Sequence, residues 1–202
     1  MRKSMILWLM AITLVLTFAA FNAAAGPLDS PGASKAMVCS ACHGFSGNSP
    51  GNSVPIIAGM APNYFKKTIK DYAEGKRPSP EMEPYSKYVL QAGLDEIAAY
   101  FAEQKRQPTR IKVDPKAAAR GRALAAPCTV CHNPQGEGDP EKGFPVLRGQ
   151  PAGYLQTQLL ILKEDKRKLE DTSLDELKKK LLKRFSDQEI ADLAAYFASL
   201  KK

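Results

Sequence analysis

Outside two windows of five residues, this chain of 202 residues contains no cysteine and no histidine. Four cysteines are too few for a disulfide-dense miniprotein, and the length leaves room for one large domain or two small ones. With both histidines inside those windows, no nucleophile and base pair of the hydrolytic kind is visible, so the composition speaks against an enzyme. Aromatic residues make up only 8%, yet 44% hydrophobic and 25% charged residues are ordinary for a globular protein and exclude wholesale disorder. No convincing period-two run is present, which removes strands from the expected architecture.

Arg2 and Lys3 precede an apolar run from Met5 to Phe21, and Ala23-Ala24-Ala25 follows with the small-x-small pattern that a signal peptidase reads. This predicts a signal peptide over residues 1–25 and a periplasmic protein. A retained membrane anchor is the competing reading, because the run is near the lower limit for spanning a bilayer. Arg2 and Lys3 carry two of the +8 formal charges, which leaves a mildly basic remainder. Export and the absence of a binding motif both oppose nucleic acid as a partner.

The remainder is a duplicated unit. Cys39-Ser40-Ala41-Cys42-His43 and Cys128-Thr129-Val130-Cys131-His132 are both C-x-x-C-H. Gly32 and Gly121 stand at the same distance before them, Pro55 to Gly59 matches Pro145 to Gly149, and Tyr64 matches Tyr154. Ala98-Ala99-Tyr100-Phe101-Ala102 recurs as Ala194-Ala195-Tyr196-Phe197-Ala198. Ser30-Pro31 and Asp114-Pro115 predict helix starts, each leading into its motif. Ser186 and Glu189 form a capping-box pattern before Ile190, Leu193, Ala194 and Phe197, which share one helical face; Leu94, Ile97, Ala98 and Phe101 repeat that stripe. Gly44 to Gly59 and Asn133 to Pro151 read as loops. The expected layout is a first domain over 26–107, a linker over 108–113 and a second domain over 114–202. Each domain has a thin apolar inventory, so something other than its own side chains must fill its centre.

C-x-x-C-H is the signature of covalent haem attachment: two thiols on one helical turn reach the porphyrin vinyl groups, and the adjacent histidine faces the iron. An exported chain with paired cysteines also invites two disulfides. Zinc is a further reading, but each motif would need two more ligands. The expectation is two covalently bound haem c groups, held by Cys39, Cys42, Cys128 and Cys131, with His43 and His132 as iron ligands.

Two such units with a downstream P-x-x-x-G element and a closing A-A-Y-F-A helix resemble class I cytochromes c, and in tandem they resemble the dihaem cytochrome c4 family. The resemblance covers residues 30–200. It implies an all-α fold of two tandem class I cytochrome c-like domains, each a few helices and loops around a haem. It also implies a periplasmic carrier of single electrons between a respiratory or oxidoreductase donor and an acceptor such as a terminal oxidase or reductase, with a membrane-associated complex as a possible partner. The carbonyls of Pro55 and Pro145 are then expected to accept the outer N–H of each imidazole. The family pattern places a methionine opposite the histidine, and Met82 in a proline-bracketed segment fits it. The second half has no methionine. Counting back from Tyr196 as Met82 stands from Tyr100 reaches Lys178. A neutral lysine amine, a water and an open position all remain, water or vacancy being the default, so the two haems are expected to differ. An open iron at His132 carries the alternative reading, a haem enzyme or small-ligand sensor. The mixed charges of residues 163–184 read as an exposed helical face, or as a docking patch for an acidic redox partner.

Overall fold

The computed structural model describes residues 29–139 and 142–201, so the expected signal peptide over 1–25 lies outside the described residues. The described residues from Pro31 onward pack as one compact unit. Four helices form the first half: α1 (Ala33–His43), α2 (Pro62–Ala73), α3 (Met82–Ala92) and α4 (Leu94–Glu103). Five form the second: α5 (Pro115–Leu124), α6 (Ala126–His132), α7 (Ala152–Lys163), α8 (Thr172–Leu182) and α9 (Asp187–Ser199). Among the described residues the only β pairing is an isolated bridge between Asp139 and Phe144, and the fold is all-α. No helix among them is long and apolar enough to cross a membrane.

The order of elements repeats: α2 matches α7, α3 matches α8 and α4 matches α9, while α5 and α6 together replace α1. In each half the chain leading into the motif crosses the terminal helix at a glycine, Gly32 at the cap of α1 and Gly121 within α5. A Cβ on Gly32 would collide with the backbone carbonyl of Glu96, and one on Gly121 with that of Asp192. Only glycine lets the two backbones approach this closely. Behind each crossing lies a small core. Ile97, Phe101, Phe65 and Val89 are buried in the first half, and Leu193, Ala194, Phe197 and Leu155 in the second.

Two expected helix starts meet different fates. Asp114 caps α5, its side chain accepting from Lys116 N–H at 3.0 Å. Ser30 caps nothing: α1 begins at Ala33, with Gly32 in the cap position and no side-chain cap. The expected single helix leading into the second motif is broken at Ala125. Pro127 is the physical reason, since it lacks the N–H for a continuing helix and its ring clashes with the carbonyl four residues back. The capping box at Ser186 and Glu189 forms as expected.

The halves are joined by a few polar contacts of high specificity. Helix α7 starts at Pro151 with no side-chain cap of its own. Asn52 from the first half supplies it instead, its side-chain oxygen accepting from Gly153 N–H at 3.1 Å and its carbonyl from Tyr154 N–H at 2.8 Å. Gln150, 4% exposed, makes a reciprocal pair with the backbone of Ile56, accepting from its N–H and donating to its carbonyl, both at 2.8 Å. Ile56 is itself buried, so no water could replace that amide.

Candidate functional site

Each C-x-x-C-H occupies the last turn of a helix, and the chain leaves that turn through a left-handed residue immediately after the histidine. Gly44 serves in the first half (φ 77°) and Asn133 in the second (φ 52°). Asn133 stabilises its turn by accepting from Gln135 N–H at 3.0 Å and Glu137 N–H at 3.1 Å. The turn carries the following loop back beneath the imidazole. His43 Nδ1 lies 2.9 Å from the Pro55 carbonyl, and His132 Nδ1 lies 3.0 Å from that of Pro145. A carbonyl only accepts, so Nδ1 carries the proton in both rings and Nε2 is left with its lone pair free. Burial lowers the pKa of both imidazoles even against these hydrogen bonds, that of His132 to about 4. Both rings are therefore held neutral, each with Nε2 able to act as a donor.

The four cysteines are unbridged, contrary to the disulfide reading. Burial, and then the second thiol of each pair, raises Cys39 and Cys128 to about 11. No three His, Cys, Asp or Glu side chains among the described residues gather into a set that could hold a metal, so the zinc reading finds no additional ligands.

In the second half Cys128, Cys131 and His132 border a cavity of about 420 Å³ whose walls are largely leucines, among them Leu155, Leu162, Leu174 and Leu181. That is a volume typical of cofactor sites. Lys178 of α8 lines the same cavity. Its ammonium lies 5.8 Å from the centre of the Phe144 ring, which packs edge-on to His132 at 6.1 Å. Burial, followed by the charge of Arg167, lowers the Lys178 pKa. In the first half Met82 opens α3 and packs, half-buried, against the same core as Cys39 and Met60. Met60 also reaches the second-half cavity. Met37 is exposed.

Helix register corrects the count that led from Met82 to Lys178. Helices α3 and α8 are equally long and begin at Met82 and Thr172. The additional residues of the second half lie in the connection after α8 and the first turn of α9. Thr172 is thus the positional counterpart of Met82, and Lys178 enters its cavity from mid-helix. The charged stretch 163–184 is also less exposed than expected. Arg167, Asp175 and Lys179 are buried, and Lys179 is tied to Asp165 at 2.7 Å, Asp175 at 2.9 Å and Glu176 at 3.4 Å.

Sequence reasoning missed a cluster of arginines and tyrosines where the halves meet. Arg77 (1% exposed) donates from Nη2 to the Tyr154 hydroxyl at 2.7 Å and lies 4.8 Å above the Tyr72 ring. Arg167 (9% exposed) donates to Gln158 at 3.1 Å. Arg77 Nε and Nη1 and Arg167 Nε are buried without hydrogen-bond partners, and among the described residues neither guanidinium forms an ion pair with a carboxylate. Burial pushes the Tyr64 phenol up, but the two guanidinium groups pull it past its usual value to about 8. The repeat could have revealed the cluster, because Arg77 and Arg167 follow the matched Tyr64 and Tyr154 at equal spacing.

Comparison with known proteins agrees with this architecture. The cytochrome c family profile matches residues 118–201. Cytochrome c4 of Pseudomonas aeruginosa is 35% identical over 99% of this chain and 100% of its own length. The thiosulfate dehydrogenase electron acceptor of Stutzerimonas stutzeri is 30% identical over 82% of this chain and 80% of that protein. The crystal structure of reduced recombinant cytochrome c4 from Pseudomonas stutzeri superposes with a TM-score of 0.76 at 31% identity, covering 84% of this chain and 97% of that one. With its duplicated motifs, matched imidazole cradles and all-helical halves, the chain belongs to the cytochrome c4 family, c-type cytochromes that act in electron transfer and not as enzymes.

Proposed function

We propose that this chain is a periplasmic dihaem carrier that moves one electron at a time between an oxidoreductase or respiratory donor and an acceptor protein. The observation that carries the reading is the pair of matched imidazoles, each fixed by a proline carbonyl and presenting a free Nε2 one residue after two unbridged thiols. In this reading the first domain spans 26–107 and the second 114–202, with 108–113 as the linker. Cys39 and Cys42 would hold one haem and Cys128 and Cys131 the other, with His43 and Met82 as ligands to the first iron and His132 to the second.

The residues present fit such a group. Buried cations without counter-charges are costly, and the unpaired guanidinium atoms of Arg77 and Arg167 call for anions that the described residues do not provide. Haem carries two propionates, and the arginine cluster lies on the wall of the leucine-lined cavity. Once bound, haem supplies a reversible one-electron couple whose potential is tuned by its axial ligands. The protein's own part is positional. Pro55 and Pro145 fix the tautomer and orientation of each ring and make it a stronger donor. The leucine wall makes the site largely apolar, and the Gln150 amide ties one half to the other.

A thiosulfate dehydrogenase electron acceptor among the relatives favours a dehydrogenase as one source of electrons. The test is a pyridine haemochrome assay with intact mass on protein matured in a haem-competent host. Two covalent haems per chain are expected, together with reversible reduction in two one-electron steps. A colourless product, or a mass equal to that of the amino acids alone, would refute the reading.

A further inference from the structure

The second half has a fixed imidazole on one wall of its cavity, but no methionine anywhere in its sequence. Besides Met60, which reaches the cavity from the first half and packs against that half's core, the cavity lining holds few side chains able to donate a lone pair to iron. Tyr154 accepts from Arg77, and the Tyr64 phenol is held between Arg77 and Arg167. Lys178 is different. It is half-buried on the cavity side of α8, and among the described residues no carboxylate is paired with it, whereas its neighbour Lys179 is held by three. An amine taken from water into a leucine-lined space without a counter-ion is normally avoided, and it persists where it has a function.

We infer that Lys178 supplies the second axial ligand to the iron bound by His132, in the role that Met82 fills in the first half. The inference rests on the dihaem reading and concerns only this chain's own substitute for a missing thioether. Ligation moves no electrons: the ammonium releases one proton to solvent, and the freed nitrogen lone pair forms the bond to iron, displacing a water if one is bound. An amine is a harder donor than a thioether, so the second centre takes the lower potential.

The test is electron paramagnetic resonance of the oxidised holoprotein, combined with carbon monoxide binding to the reduced form. The wild type is expected to show two low-spin centres, the thioether-to-iron absorption of one methionine-ligated haem, and no rapid carbon monoxide binding. Lys178→Ala should lose about half of the low-spin signal to a high-spin one and bind about one carbon monoxide per chain. Lys178→Met should stay fully low-spin with about twice the thioether absorption, and so serves where the alanine variant fails to fold. Lys179→Ala should leave both signals unchanged. The inference is overturned by a high-spin centre in the wild type, by low-spin signals that survive Lys178→Ala, or by loss of the second signal in Met60→Ala. Haem content measured on the same samples keeps the two readings apart. Two haems with a high-spin second centre would remove Lys178 alone, whereas absent haem would remove the dihaem carrier.

Discussion

The two halves treat their histidines almost identically and the space opposite them quite differently. The distances from imidazole to proline carbonyl agree within 0.1 Å, at 2.9 and 3.0 Å. Around this shared cradle the halves diverge. The first has a continuous motif helix, a buried His43 and a methionine beside its core, while the second has a helix broken at Ala125, a half-buried His132 and a lysine in its cavity. The difference teaches that the duplicated unit fixes the side of the site that attaches and orients. The opposite side, supplied by a separate helix, carries a methionine in one half and a lysine in the other. Two centres of unequal chemistry can therefore stand on one plan.

The comparison is broken most severely at what the halves share. Gly121→Ala and Gly32→Ala each drive a Cβ into the carbonyl of the crossing helix and should destabilise the protein by about 3 kcal/mol or more, to a similar extent in the two halves, as measured by chemical denaturation. A much smaller loss in one half would show that its crossing is not equivalent. Next comes the join between the halves. Gln150→Leu leaves the buried N–H and carbonyl of Ile56 without partners and should cost about 2–3 kcal/mol, with unfolding losing its single transition.

Smaller effects sharpen the contrast on the divergent side. Met82→Ala should abolish the thioether absorption completely, because no second methionine is expected to contribute to it, and redox titration should show only the upper of the two potentials falling. Acid provides a gentler probe. The bidentate hydrogen bonds from Arg120, both at 2.7 Å, hold Asp192 below the usual carboxylate range, outweighing its burial. The folded state then binds the proton less readily than the unfolded one. Its stabilisation is present above the ordinary carboxylate pKa of about 4 and is lost as pH falls through the lower folded value. Asp192→Asn should flatten that acid limb in a pH series of melting temperatures. The smallest expected effect is that of salt. Because much of the charge over 163–184 is buried or internally paired, electron-transfer rates with an acidic partner should fall only modestly with ionic strength.

What could be read from the sequence was local. The C-x-x-C-H motifs, the capping box at Ser186 and the stripes of Ile97, Phe101, Leu193 and Phe197 each depend on neighbours within a turn or two, and each appears where expected. The break at Ala125 was equally legible in Pro127 but was hidden by the match to the first half. Ser30 failed as a cap because a long-range demand, the close crossing at Gly32, fixed where α1 begins. The arginine cluster could not be read from hydrophobic pattern at all. Charged residues are expected at the surface, and only the meeting of distant segments buries Arg77 and Arg167. Lys178 was reached by a count that the helix register does not support, and its position in the cavity follows from the orientation of α8.

Gln150 has a consequence beyond stability. Its amide grips the backbone of Ile56, the residue next to the carbonyl that orients His43, while its own N–H is bonded to Leu147, two residues from the carbonyl that orients His132. A single side chain thus spans the gap between the mounts of both rings. Tunnelling between metal centres depends steeply on their separation, and for two haems held on these mounts that separation would be set by the Gln150 bridge instead of by the looseness of a tether.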